Sequence, residues 1–224
     1  MKRLVLIAAV AAACGGGSKT QTATDHNRAG TGSSTLLVTG TIITSTSDAN
    51  GPVTNFAVDL RDGAGAKVSS ATVTVHNADL GDVVLVEGTA GSAHYTNSKA
   101  QIASGDFSLA VSKATDNVAG VTLGNPGGYA INAPALNATV PANQPLEVSW
   151  TTPATAKSVT LTTRDFTIQL PDMGAYTIAA ANNPARTNQR VILTRYNEVE
   201  IAGGLSGSKL SVTCTMSVDP FIVQ

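Results

Sequence analysis

Apolar and polar residues along this chain fall into short alternating runs. Ala71, Val73 and Val75 share one parity while Thr72, Thr74 and His76 take the other, and Phe107, Leu109 and Val111 repeat the pattern. A period of two places one set on the buried face of a strand and the other toward solvent. The same reading predicts strands over 36–45, 53–61, 68–77, 83–89, 107–112 and 118–123. Turn residues divide them at Asn50-Gly51-Pro52, Asp62-Gly63 and Gly105-Asp106. In the second half Leu146, Val148 and Trp150 alternate, and another strand runs through Val159 and Leu161. Further strands are expected at 190–196, 199–202 and 209–218, with Gly203-Gly204 as a turn. After the opening residues no window of ten or more carries a helical period. Short strands joined by turns, with no helices between them, predict antiparallel sheets packed as sandwiches.

Asn125-Pro126-Gly127-Gly128 is the strongest punctuation in the body of the chain. It divides the folded part into two pieces, each the size of one β-sandwich of about 100 residues. The expected fold is all-β, with a sandwich at 36–126 followed by an immunoglobulin-like sandwich at 127–224. The alternative is a single larger sandwich with this segment as an internal turn.

Residues 1–13 have a different character. Lys2 and Arg3 precede an apolar run that ends in Ala11, Ala12 and Ala13, ahead of Cys14. That is the layout of an export signal. Ten apolar residues at 1.5 Å each cover roughly 15 Å of a hydrocarbon layer near 30 Å thick, too little to span it. Small residues directly before Cys14 resemble the lipobox of bacterial lipoproteins, although Ala11 stands where that family most often has leucine. The resemblance implies a diacylglycerol on the Cys14 sulfur, cleavage just before it and acylation, by palmitate or a similar chain, of the new amino terminus. Gly15 after the cysteine implies sorting to the outer membrane. Residues 14–35 then read as a lipidated cysteine and a Gly/Ser/Thr-rich tether, whose 21 residues after Cys14 reach about 70 Å when stretched. His26 falls in this tether and is expected to be solvated.

The second half carries a further resemblance. Pro145-Leu146-Glu147-Val148-Ser149-Trp150-Thr151-Thr152-Pro153 resembles the tryptophan-bearing strand of fibronectin type III and related immunoglobulin-like domains. Asp172 to Ile178 looks like the immunoglobulin tyrosine corner, in which the hydroxyl of the residue at the Tyr176 position bonds back to the main chain. The likeness implies architecture and no particular activity.

Charge and chemistry narrow the function further. Removing the signal takes Lys2 and Arg3 from the 14 basic residues, leaving 12 against 15 acidic and a mature charge near −3. Nothing forms a basic stripe for nucleic acid. Charged residues make up 13% of the chain, against about 25% in typical globular proteins. If Cys14 carries lipid, Cys214 is left alone; it shares parity with Leu210, Val212, Met216 and Val218, and is expected on a buried face. No nucleophile elbow occurs, since Gly204-Leu205-Ser206-Gly207-Ser208 misses the spacing. His76 and His94, with Asp79, Asp82 and Glu87 between them, are expected as separate surface groups, not as a metal site. Asp48-Ala49-Asn50-Gly51 and Asp62-Gly63-Ala64-Gly65 are too poor in ligands to hold calcium and read as turns. Two loops are candidates for binding: 91–105 with His94, Tyr95 and Lys99, and 179–189 with Asn182, Asn183, Arg186 and Asn188, followed by Arg190.

The sequence therefore predicts a lipid-anchored outer-membrane protein of the bacterial envelope, facing the periplasm or the cell surface. It would act in binding, adhesion or as a structural module, without catalysis, metal or cofactor. Its partners are the membrane through Cys14 and a protein or surface polysaccharide, with no nucleic acid. Two alternatives stand beside this reading: a subunit of a larger envelope or secretion assembly, and a hydrolase whose site forms only in three dimensions.

Overall fold

The computed structural model describes residues 21–22, 26–46, 51–128 and 130–224. In the amino-terminal half the strands are β1 (Gln21–Thr22), β2 (Arg28–Gly32), β3 (Leu36–Ser45), β4 (Val53–Asp62), β5 (Thr72–Asn77), β6 (Gly81–Glu87), β7 (His94–Lys99), β8 (Phe107–Lys113) and β9 (Asp116–Leu123). The rest of the chain forms β10 (Ile131–Ala133), β11 (Thr139–Val140), β12 (Leu146–Trp150), β13 (Ala154–Thr155), β14 (Ser158–Thr162), β15 (Thr167–Leu170), β16 (Ala175–Ile178), β17 (Arg186–Glu200) and β18 (Lys209–Val223). The chain is all-β, as the alternation predicts.

Two hydrophobic cores form. In the first, β18, β3, β4 and β7 face β2, β9, β8 and β5. Strand β6 passes from one sheet to the other, pairing with β5 over 81–85 and with β7 at Val86 and Glu87. In the second, β15, β14, β17 and β18 face the three-stranded sheet β10-β12-β16 across Trp150, Val159, Leu161 and Phe221. Trp150 is buried, as its resemblance to the fibronectin type III strand implies.

The cores do not divide at Asn125. Strands β17 and β18 are fifteen residues each and run beneath both. Val191, Leu193, Met216, Val218, Phe221 and Val223 fill the second core, while Val199, Ile201, Leu210, Val212 and Cys214 fill the first. The seam is parallel: Lys209 to Thr215 of β18 pair with Thr39 to Ser45 of β3. One continuous sheet thus floors both units.

Between the cores the inward positions of this floor turn polar. Arg195 and Asn197 replace aliphatic residues on β17, and both are fully buried. The segment Gly124-Asn125-Pro126-Gly127 lies buried across them, read one residue at a time. Asn197 Nδ2 donates to Gly124 O at 2.7 Å. Cys214 Sγ donates to Asn125 Oδ1 at 3.2 Å, and Arg195 Nη1 donates to Pro126 O at 2.7 Å and Gly127 O at 2.5 Å. Arg195 Nη2 bonds Ala154 O and Asp172, and Nε bonds Asp172 Oδ2 at 3.2 Å. All five guanidinium donors are satisfied. Asp172 also accepts from Trp150 Nε1 at 2.9 Å and from Ala156 N at 2.7 Å. Gly128 has φ +72°, and a Cβ there would fall 2.5 Å from Arg195 Nη1 and 2.3 Å from Thr151 O. Glycine is required at that point.

The expected tether is corrected from its carboxy-terminal side. Residues 28–32 form β2, antiparallel to β9. The other side of this segment meets the tip of the long hairpin, with Ala202 N bonded to Ala29 O and Ser34 N to Gly203 O, each at 3.0 Å. Gly203 permits the approach, since a Cβ would lie 2.1 Å from the Thr31 carbonyl carbon. Backbone pairing, not apolar burial, places this strand.

Removing one partner of a buried ion pair typically costs about 3–5 kcal/mol. Arg195→Met and Asp172→Ala are each expected to destabilise the protein by that order, and Arg195→Lys to rescue little because lysine offers three donors in place of five. Urea unfolding measures this, and a loss below about 1 kcal/mol in both would contradict the role assigned to the pair. Deleting 209–224 is expected to abolish the melting transition of the whole chain, since β18 supplies both cores.

Candidate functional site

Cys14, the one residue the sequence assigns a modification, lies outside the described residues. The three histidines are each set against a carboxylate. His26 Nδ1 lies 2.6 Å from Asp106 Oδ2, His76 Nδ1 2.7 Å from Asp82 Oδ1, and His94 Nδ1 2.9 Å from Asp59 Oδ1. His76 and Asp82 face each other across β5 and β6, and His94 and Asp59 across β7 and β4, on open outer surfaces. His26 is not a free tether residue; it docks the segment before β2 onto the body. Among the described residues no three His, Cys, Asp or Glu side chains gather as a metal-binding group.

Both candidate loops are corrected. Residues 94–99 are strand β7 inside a sheet, and Tyr95 points into the first core, where its hydroxyl donates to Val68 O and accepts from Ala71 N. The signal is weak in sequence because HYTNSK offers one apolar residue. The loop 179–189 includes a short 3-10 turn, Ala180–Asn182, and is held to the body. Asn183 is buried and donates to Pro141 O and Gln144 O at 3.0 Å each. Arg186 pairs with Asp165 at 2.5 Å, and Gln189 Nε2 donates to Asp165 Oδ2 at 2.6 Å. The Arg186 bond, followed by that from Gln189, holds the Asp165 carboxyl below the ordinary range. Tyr176 pairs opposite Val148, half-buried, and its hydroxyl makes no main-chain bond among the described residues. In this motif it is Asp172 that ties strand to body.

Two grooves open on the surface. The first, about 580 Å³, lies between β2 and the hairpin tip and is lined by Ala29, Glu198, Glu200, Ile201, Leu205, Ser206 and Lys209 among others. It is a charged groove, unlike the second, and Glu198 is already engaged. Glu198 pairs with Lys157 at 2.6 Å and accepts from the Tyr196 hydroxyl. The Lys157 bond and then the Tyr196 bond lower the Glu198 carboxyl, while burial and then Glu198 push Tyr196 up to about 12.

The second groove, about 400 Å³, crosses the outer face of β3, β4 and β7. Thr41, Ala57 and Thr96 form one cross-strand row and Ile43, Asn55 and Ser98 the next. No ionisable side chain lines it. Asn97 is committed to Val84 O at 2.6 Å. The side chains of Thr41, Asn55 and Thr96 make no hydrogen bond among the described residues. Ile43 is 43% exposed at the groove, and Val86, opposite Thr96, is 66% exposed. An apolar floor with unspent hydroxyl and amide groups can meet an uncharged, hydroxyl-bearing ligand. Sequence reasoning passed over these residues because each, taken alone, is an ordinary outward position of a strand.

No family model matches the chain, and no curated protein matches it. Among solved structures, the fibronectin(III)-like modules of Clostridium thermocellum CbhA overlap at 13% identity and a TM-score of 0.26, over 81% of this chain and 93% of that one. SGBP-B of the Bacteroides ovatus mixed-linkage glucan utilization locus, solved with a mixed-linkage heptasaccharide, overlaps at 11% identity and a TM-score of 0.17, over 96% of this chain and 71% of that one. Overlaps this low carry no argument, and the β-sandwich class rests on this chain's own strands and cores.

The Tyr196 and Glu198 shifts give the pH dependence a sign. A raised tyrosine contributes stability that is full below its ordinary 10 and is lost as pH rises toward about 12. Glu198, lowered from 4.5, contributes stability that is full above that value and is lost as pH falls through its lower folded value. Urea midpoints of the parent are expected to fall more steeply than those of Tyr196→Phe between pH 10 and 12. Parallel curves would contradict the coupling.

Proposed function

We propose that this is a lipid-anchored protein of the bacterial outer membrane whose two cores, floored by the shared strands β17 and β18, act as one rigid, non-catalytic binding module. Its ligand is a neutral surface polysaccharide, held in the groove over β3, β4 and β7. The observation that carries this reading is the uncharged lining of that groove, where Ile43 and Ala57 lie among Thr41, Asn55 and Thr96 with their polar groups unspent. Elsewhere three pairs of side chains that sequence alone makes eligible for chemistry are set against each other: His76 with Asp82, His94 with Asp59, Arg186 with Asp165. The rigidity follows from the shared floor of β17 and β18, which lets a sheet face bind without first being ordered.

A second reading, a subunit of a larger envelope assembly, draws on the exposed apolar residues Val84 and Val86 beside the same groove. The two readings separate by experiment. Affinity electrophoresis through gels containing a neutral β-glucan is expected to retard the parent, and an acidic polysaccharide is expected not to. Asn55→Ala with Thr96→Ala removes two hydrogen-bonding groups at about 1 kcal/mol each, which is roughly a thirtyfold loss of affinity. No retardation by any glycan, with a stable protein complex recovered from envelopes by the unaltered chain and lost on Val86→Asp, would favour the assembly reading.

The anchor has its own test. Labelling of growing cells with a palmitate analogue is expected to mark the parent and to fail on Cys14→Ala, and equal labelling would overturn it.

A further inference from the structure

We infer that the lipid-bearing end of the chain leaves the body at its waist, so that the bilayer is a surface against which the junction of the two cores is held. This rests on the anchoring reading of Cys14. The path of the described residues upstream of β3 carries it. Residues 28–32 are clamped between β9 and the hairpin tip. Asn27 then crosses to the septum, its Nδ2 donating to Glu198 O at 2.9 Å and its Oδ1 accepting from Gly124 N at 2.8 Å. His26 is held by Asp106, whose Oδ1 also accepts from Asn125 N at 3.1 Å. Before these, Gln21–Thr22 pair in parallel with Ala154–Thr155. Ala154 is itself a septum residue, because its carbonyl accepts from Arg195 Nη2.

Six residues, 15–20, separate Cys14 from Gln21. Seven backbone steps span at most about 25 Å, against about 70 Å for a leash counted to residue 35. Strand β17 has fifteen residues; at about 3.3 Å each, Arg195 stands about 30 Å from its Arg186 end and about 17 Å from its Glu200 end. The leash is therefore shorter than the long arm of the floor. A body held at its septum by so short a connection keeps the junction of the two cores within about 25 Å of the lipid attachment.

The chain holds one tryptophan, and it reports this position directly: Trp150 Nε1 is bonded to Asp172, which holds Arg195. The lipidated full-length protein, its modification verified by mass spectrometry, is reconstituted in phosphatidylcholine vesicles containing a few per cent of a dansyl-labelled lipid. Energy transfer from Trp150 to the labelled surface is expected to be efficient in the parent. It should fall several-fold when twenty Gly/Ser residues are inserted between Thr20 and Gln21, an insertion that leaves the folded body intact. Equal transfer in the two proteins, both lipidated, would overturn the waist attachment while leaving the anchor standing. A mature chain without lipid at Cys14 would overturn the anchor and the waist attachment together.

Discussion

A fully buried guanidinium organises this molecule. Taking a cation out of water costs several kcal/mol unless geometry and hydrogen bonds offset it. Arg195 meets that condition by spending every donor: three on the backbone carbonyls of Pro126, Gly127 and Ala154, two on the Asp172 carboxylate. The acceptors come from three stretches of chain distant in sequence, which the guanidinium joins at one point. Asn197 and Cys214 extend the same function along the septum, so four consecutive residues of the junction are each held by a buried group of the floor. A junction of this kind specifies one arrangement of the two halves, where a solvated Gly/Pro linker would permit many.

Continuity of the floor follows from the same constraint. Because β17 and β18 cross the septum without a break, the first core is completed only by the last strand of the chain, and the parallel seam between β3 and β18 joins residues about 170 apart in sequence. Contacts of such separation are slow to form, since loop closure must precede any gain from pairing. The amino-terminal segment adds another distant contact, at the hairpin tip, and closes the first unit's edge. Segments from both ends of the chain, β2 and the first half of β18, thus complete the first unit, and the halves are expected to unfold together.

Much of this was legible in the alternation. The predicted run 36–45 is strand β3 to the residue, and the parity of Leu210, Val212, Cys214, Met216 and Val218 places all five on the buried face. Other features were missed for physical reasons. Strand β2 reads RAGTG, with nothing apolar to bury, because backbone pairing alone fixes it. Strand β17 read as two pieces because its inward positions pass through Arg195 and Asn197, and a polar residue at a core parity imitates a strand end. The long hairpin also changes parity past Val218, where the register shifts and Phe221 and Val223 become the buried pair. As to candidate chemistry, His76 pairs with Asp82 across β5 and β6 and His94 with Asp59 across β7 and β4, but the sequence could not foresee that 94–99 would be a strand, nor that Asp172 would hold the septum in place of Tyr176.

The groove over β3, β4 and β7 takes its meaning from this division of labour. A side chain whose donors are already matched must break those bonds before it can hold a ligand, and the loss offsets most of the gain. On this body the Arg195 guanidinium at the septum, Glu198 and the Asp165 carboxylate are matched in that way. Thr41, Asn55 and Thr96 are not: Thr41 and Thr96 flank Ala57 in one cross-strand row and Asn55 stands in the next, on strands spaced about 4.7–4.9 Å apart. An uncharged face of this kind offers little to a point charge and more to a chain of hydroxyl groups. Rigidity behind the row, set by the septum, means that binding there need not order the protein first, so even modest hydrogen bonds retain their contribution.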